Sequence, residues 1–363
     1  MAKFTEIFED VTKQGTKIPT NLYLENGLYP IIDQGQSEIA GYTNQTEGLF
    51  TDIPAIIFGD HTRIIKYVDT PCFLGADGVK LLKAKDPTAN YKYSYYALCN
   101  ADIPNTGYNR HFKWLKEIDI PEYPIEEQNR IVAQLEKIDT LISLRKQQLS
   151  KLDELVKSRF IELFGGIHDS KMYPYKAVRE LTEVISGGTP SRDVSEYWEE
   201  GTIPWVKTTE LQNNIIIEVE EYITEQGLNN SSAKIVPSGT VLIAMYGQGK
   251  TRGMTAYLGI EACTNQACAC ILPSDRINQT FLWQYFVLSY DNLRDMAKGG
   301  NQPNLNGNMI KNYPVICPPR ELQGQFAAFV EQTDKSKLAI QQSLEKLETL
   351  KKALMQKYFG ANI

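Results

Sequence analysis

At 363 residues the chain is long enough for two domains of ordinary size, and 42% hydrophobic with 23% charged residues suits a globular protein with a sizeable core. A formal net charge of −6 excludes a strongly basic nucleic-acid binder, so any DNA role must rest on local basic patches or on charge supplied by a partner. The opening MAKFTEIFED lacks a basic start and an apolar run, no apolar stretch approaches a membrane span, and the six cysteines follow no framework spacing. The expectation is a cytoplasmic chain with reduced thiols and no membrane partner.

The first clear element is a strand near 53–58, Ile-Pro-Ala-Ile-Ile-Phe, running into a polar turn that carries His61 and Arg63. A second apolar strand is expected at 79–82 and a helical pattern near 93–99, followed by a polar turn with Arg110, His111 and Lys113. From Pro124 the pattern changes. Apolar residues fall at Ile131, Leu135, Ile138, Ile142, Leu149, Leu152, Val156 and Leu163, spaced alternately by four and three, with Arg145 and Arg159 as polar interruptions of one heptad seam. Pro124, Glu126 and Glu127 suit a helix start and Gly165-Gly166 a stop. About 38 helical residues span roughly 57 Å.

The region after residue 166 reads as a second mixed domain. It opens with Ser-Gly-Gly-Thr-Pro-Ser at 186–191, a structural turn, followed by Tyr197-Trp198 and Ile203-Pro204-Trp205. A strand within 238–244 runs into a turn bearing Gln248, Lys250, Thr251 and Arg252. An apolar strand at 267–272 would place Cys268 and Cys270 on one face as small core residues, and a helical pattern covers 281–296. Pro318-Pro319 introduces a second long helix that Gly360 ends.

The two long helices are one element used twice. Residues 124–165 align with 319–360 at a constant offset of 195, without a gap, with 14 identities in 42 positions. The strand-and-turn segments before each helix repeat more loosely. Where the first seam has Arg145 and Arg159 the second has Ile340 and Leu354, and where the first has Ile142 and Val156 the second has Lys337 and Lys351. That exchange disfavours pairing two copies of the same helix and suits the two helices of one chain packing antiparallel.

The order of domain, long helix, domain, long helix resembles the specificity subunits of type I restriction-modification systems. The phrases at 186–191, 197–198 and 203–205 look like the opening of a target-recognition domain of that family. Gly-Asn-Gln-Pro-Asn-Leu-Asn at 300–306 and Pro-Pro-Arg-Glu-Leu-Gln at 318–323 look like its close. The first domain departs from this pattern, lacking the Gly-Gly-Thr-Pro phrase and ending in Asn-Thr-Gly-Tyr-Asn-Arg at 105–110, which is consistent with a different subtype and half-site.

The resemblance implies an α+β chain with two similar mixed α/β target-recognition domains, at 1–123 and 166–318, separated by antiparallel spacer helices at 124–165 and 319–363 in a pseudo-twofold arrangement. It implies double-stranded DNA as ligand, read as a bipartite target. Its partners would be two modification (methylase) subunits, which bring S-adenosylmethionine chemistry, and restriction subunits, which bring ATP-dependent translocation and cleavage. The helices would act as spacer and docking platform. His61, Arg63, Arg110, His111 and Lys113 in the first domain, with Gln248, Lys250, Thr251 and Arg252 in the second, are the expected DNA-contacting residues.

Catalytic readings fare worse. Ala-Met-Tyr-Gly-Gln-Gly-Lys-Thr at 244–251 fits a loose phosphate-loop pattern, but such a loop needs a helix directly after it, and the glycines and aromatics that follow predict a turn and a strand. Cys263, Cys268 and Cys270 lack a histidine or a Cys-x-x-Cys pair for a metal site. No methylase, dinucleotide or nuclease motif stands out. The expectation is therefore a subunit without a catalytic centre, cofactor or metal. A stand-alone DNA-binding protein and a coiled-coil adaptor without a DNA role remain as alternatives.

Overall fold

The computed structural model describes residues 1–75, 77–107, 109–247, 249–297 and 304–360. The chain divides into two units: Met1–Gln147 together with Gln341–Ile363, and Gln148–Ile340. Among the described residues no helix is long and apolar enough to cross a membrane.

In the first unit the strands are β1 (Ala2–Lys3), β2 (Phe8–Asp10), β3 (Tyr29–Ile32), β4 (Gly41–Thr43), β5 (Ala55–Gly59), β6 (Ile65–Val68), β7 (Phe73–Leu74), β8 (Val79–Ala84) and β9 (Asp119–Ile120). They form a four-stranded sheet ordered β2-β8-β5-β6, a three-stranded sheet ordered β4-β3-β7, and the pair β1-β9. Strand β5 is central and buried on both faces, which is why its sequence is an unbroken apolar run. Its alternating side chains feed two cores. Ile56 and Phe58 join the short helices α1 (Phe4–Ile7), α2 (Tyr91–Cys99) and α3 (Phe112–Leu115), whereas Ala55 and Ile57 join Cys72 and Leu74 on the other side.

Helix α4 (Ile125–Phe164) follows the first of these sheets. It ends where Gly165 takes a left-handed φ of 78° and donates its N–H to the Ile161 carbonyl, as a glycine C-cap does.

The second unit builds the same plan. Its strands are β10 (Tyr175–Ala177), β11 (Val184–Ser186), β12 (Ile203–Val206), β13 (Asn214–Ile216), β14 (Glu221–Ile223), β15 (Val241–Ala244), β16 (Thr255–Leu258), β17 (Cys263–Thr264), β18 (Cys268–Ile271) and β19 (Pro314–Ile316). The sheets are ordered β11-β18-β15-β16-β13, β14-β12-β17 and β10-β19. Strand for strand this repeats the first unit, including the parallel pairing β12-β17 that matches β3-β7. The one addition is β13, laid parallel to β16 at the sheet edge. Central β15 again divides its side chains, Val241 and Ile243 into one core and Leu242 and Ala244 into another.

The helices of this unit are α5 (Val178–Leu181), α6 (Glu225–Asn229), α7 (Gln279–Leu288), α8 (Tyr290–Met296) and α9 (Gly307–Lys311). The single helical pattern expected at 281–296 is therefore broken at Ser289, whose backbone, at φ −91° and ψ 9°, leaves helical geometry between α7 and α8. Even the helix entries match: the Lys3 and Ala177 N–H groups each donate to a glutamate three residues on, Glu6 and Glu180. Cys263, Cys268 and Cys270 are all buried.

Helix α10 (Arg320–Phe359) closes the chain. Within the first unit the α4 and α10 segments run antiparallel, since Gln134 accepts from the Tyr358 hydroxyl, Asp139 meets Lys351 and Lys146 meets Glu348. Within the second unit the same sense holds, with Asp153 facing Lys337 and Phe160 packed edge-on against Phe326. The heptad reading carries through to Val156 and then shifts. Phe160 and Phe164 are fully buried in the last turns while Leu163 is only partly covered, because here α4 packs into its domain core.

Candidate nucleic-acid interface

The β5–β6 connection is a tight polar turn. Arg63 closes it with a positive φ of 63°, its N–H donating to the Gly59 carbonyl at 2.7 Å while the Gly59 N–H donates to the Ile64 carbonyl at 2.8 Å. The Arg63 guanidinium donates to the Ile103 carbonyl at 3.1 Å. At the base of the turn Asp60 is buried, and its carboxylate accepts from the Phe112 N–H at 2.7 Å. Its carbonyl accepts from the His111 N–H at 2.8 Å and faces His111 Nδ1 at 3.0 Å. A carbonyl can only accept, so Nδ1 carries the proton, and Nε2 is left to accept from the Thr106 N–H at 3.4 Å.

This corrects the reading of His111. The ring is fully buried, both its nitrogens are engaged, and it fastens the 104–111 loop to the turn rather than facing a DNA groove. His61 is partly exposed; its N–H donates to Gln34 Oε1 and its Nδ1 to the Asn109 carbonyl, both at 3.2 Å. The turn, Asn109 and Gln34 are thus tied to one another through His61, and Arg110 is the residue that follows Asn109. Arg110 is exposed, and its charge adds to that of Lys17 in holding the nearby Asp77 carboxyl below its ordinary value. Lys113 is exposed, but its described contact is with the Trp114 ring, so hydrogen bonding does not draw it into this surface.

The β15–β16 connection occupies the equivalent place in the second unit. Lys250 is exposed, Thr251 and Arg252 are half-buried, and Gln248 lies outside the described residues, as do positions 300–303 of the 300–306 phrase. Two side chains of α8 latch this loop by its backbone. The Tyr290 hydroxyl donates to the Lys250 carbonyl at 2.8 Å, and Arg294 donates to the Arg252 carbonyl at 3.0 Å and to the Tyr290 hydroxyl. Lys250 therefore projects from a held backbone with its ammonium in solvent. After Gly-Lys-Thr the chain turns through Gly253 into β16 and forms no helix, so amides do not converge as a phosphate loop requires.

Several positioning residues were beyond sequence reasoning. Asp60, Gln34, Tyr290 and Arg294 serve their loops through contacts 27 to 52 residues away in sequence. Lys66, on β6, is almost fully buried and donates to the Ser37 carbonyl at 2.6 Å and to Asp33 at 3.4 Å, pinning the segment that carries Gln34.

The phrase at 186–191 has a physical account. Gly187 and Gly188 run against backbone, where an added Cβ would lie 2.2 Å from the Thr264 carbonyl oxygen or 2.3 Å from the Ala233 nitrogen. Trp205 donates its indole N–H to the Gly188 carbonyl and Trp198 to that of Ser191. The two rings meet edge to face, and the Arg192 guanidinium stacks 3.6 Å over Trp198. Burial alone would raise the Glu221 carboxyl, but hydrogen bonds from Lys207 and Arg192 hold it below the ordinary value.

A model of the type I restriction modification DNA specificity domain matches residues 1–154 and, a second time, residues 172–351. The chain belongs to that family. Among its relatives, the type I restriction enzyme EcoR124I/EcoR124II specificity subunit of Escherichia coli is 24% identical over 336 residues, covering 86% of this chain and 81% of the relative. The MjaIX specificity subunit of Methanocaldococcus jannaschii is 30% identical over 172 residues, 45% of this chain and 38% of its own. The crystal structure of the type I restriction-modification system S subunit from M. genitalium superposes with a TM-score of 0.62 at 18% identity, covering 98% of this chain and 95% of the other. A chain from a structure on assembly and conformational transition of the type I system gives 0.55 at 18% identity, covering 100% and 96%. The fold is that of an S subunit, a DNA-specificity domain present twice.

Proposed function

We propose that the chain is the non-catalytic subunit that gives a type I restriction-modification complex its DNA sequence specificity. Each domain reads one half of a bipartite double-stranded target, two modification subunits supply the adenine-methylating centres, and restriction subunits supply ATP-dependent translocation and cleavage. The observation that carries this is the doubled hairpin. One sheet plan appears twice, and in each copy the hairpin after the central strand presents cations on a fastened backbone, with different residues at the two tips.

His61, Arg63 and Arg110 in the first domain, and Lys250, Thr251 and Arg252 in the second, are the contacts we assign to DNA, with Lys113 and Gln248 as further candidates. The net charge of −6 fits a chain that shares the phosphate contacts with its partners. The test is methylation mapping on the complex reconstituted with its modification subunit. Exchanging the second domain for that of another family member should change one half of the methylated sequence and leave the other. A methylated sequence that ignores the exchange overturns the reading.

A further inference from the structure

Each hairpin tip has a second turn fastened beside it. Directly after β5 the Asp60 N–H donates to the Gly78 carbonyl at 2.7 Å, and directly after β15 the Met245 N–H donates to the Ala267 carbonyl at 2.8 Å. One bond thus sets the turn entering β8 against the first tip and the turn entering β18 against the second. The residue one place earlier is exposed in both turns: Asp77 in the first unit, Gln266 in the second. In the first unit Gln34 clamps turn to tip, donating from Nε2 to the Asp77 carbonyl at 3.0 Å while its Oε1 accepts from the His61 N–H. Gly78, at a φ of 90°, packs so closely there that an added Cβ would lie 2.7 Å from the His61 ring. In the second unit the Thr189 hydroxyl donates to Gln266 Oε1.

The Asp77 side chain is 98% exposed and meets the Lys17 ammonium at 2.9 Å. The hydrogen bond from Lys17, helped by the charges of Lys17 and Arg110, holds its carboxyl below the ordinary value, so it is an anion at neutral pH. A carboxylate repels phosphate, and on a DNA-facing surface it costs affinity unless the duplex donates to it. In the major groove the donors are the amino groups of cytosine and adenine. Adenine N6 lies between two acceptors, its own N7 and the O4 of its partner, whereas cytosine N4 has an acceptor on one side only, which favours cytosine for an acceptor-only group. A carboxamide carries both a donor and an acceptor, and matches the paired N6 and N7 of adenine. We infer that this turn position reads one base pair in each half-site, Asp77 taking the amino group of a cytosine and Gln266 the N6 and N7 edge of an adenine. This rests on the proposed function, which gives each domain one half of the target.

The experiment is competition binding by the complex of the full chain with its modification subunit, using duplexes that carry its mapped target changed one base pair at a time. Asp77→Asn should lose about tenfold of discrimination at a single C·G pair in the first domain's half-site. Binding to unrelated DNA should hold level or rise, because a charge that repels phosphate has gone; a residue that only supports the fold would weaken both together. Gln266→Leu should lose discrimination at a single A·T pair in the other half-site. Each variant should leave the opposite half-site untouched and, both side chains being exposed, melt with the wild type. Unaltered discrimination in either variant, equal weakening on all sequences, or a first half-site without a C·G pair overturns the inference and leaves the proposed function standing. A wild-type complex that binds every duplex alike overturns the functional reading itself.

Discussion

The Lys351 ammonium lies 2.5 Å from the Asp139 carboxylate, so a lysine in the seam of the last helix is answered by an acid on the first. In the other unit Lys337 is answered in the same way by Asp153, at 2.6 Å. The repeat equivalents of those lysines are Val156 and Ile142, which is why two copies of either helix would not reproduce the pairing.

Both members of the Asp139–Lys351 pair are about one-third exposed, so its worth is modest. A double-mutant cycle with Asp139→Asn and Lys351→Met, read by urea denaturation, should give a coupling of about 0.5–1 kcal/mol. The Tyr96 hydroxyl also donates to Asp139, so Asp139→Asn should cost more than Lys351→Met. Zero coupling would show that the pair records register without stabilising it.

Arg110→Ala and Lys250→Ala should weaken the complex on all DNA sequences alike, each reducing the slope of log affinity against log salt by about 0.9. His61→Ala or Thr251→Ala should instead relax one base position at a cost of about 1–3 kcal/mol if the side chain meets a base edge. Salt titrations and competition with altered targets separate the two classes. Unchanged affinity after replacing both clusters would remove the hairpin tips from the interface. Lys250→Ala should also leave ATP binding by the isolated chain at background.

His111→Ala should act through folding. It removes a fully buried ring and its Nδ1–H bond to the Asp60 carbonyl, which keeps the backbone N–H of residue 111, for a loss of about 1–3 kcal/mol. Its effect on DNA affinity should follow the stability loss without altering the salt slope. A changed slope with unchanged stability would place the ring against phosphate after all.

Glu221 sets an acid limit for the second domain. Its folded carboxyl is held below the ordinary value of 4.5 by Lys207 and Arg192, against the opposing effect of burial. A lowered folded value contributes stability above the unfolded one, lost as the pH falls through the folded one. Thermal melts from neutral pH down to about pH 3 should therefore show a decline that Glu221→Gln makes shallower. Parallel declines in the two proteins would show that other carboxyls set the limit.

The long helices were legible because a heptad seam and an ungapped repeat are local signals that survive without a partner. Central strands β5 and β15 were legible for the same reason, as apolar runs entering polar turns. The parallel pairings β3-β7 and β12-β17 were not, since the paired strands lie some forty to sixty residues apart and nothing in either segment names the other. His111 misled because a histidine between an arginine and an aromatic looks like a surface residue, and only the carbonyl of Asp60 brings it inside. The break at Ser289 is a local change of backbone angles inside one apolar stretch, which hydrophobic periodicity does not register.

The first unit takes its last twenty-odd residues from the far end of the chain, and its core is incomplete without Met355, Tyr358 and Phe359 packed beside Ile131, Leu135 and Tyr93. The second unit is continuous. Domains made earliest usually finish folding earliest. Here the order is inverted: on the ribosome the first unit must wait, with an apolar face uncovered, until Met355, Tyr358 and Phe359 have been made, after the whole of the second. A chain stopped before Met355 would therefore spoil the part of the protein that was made first.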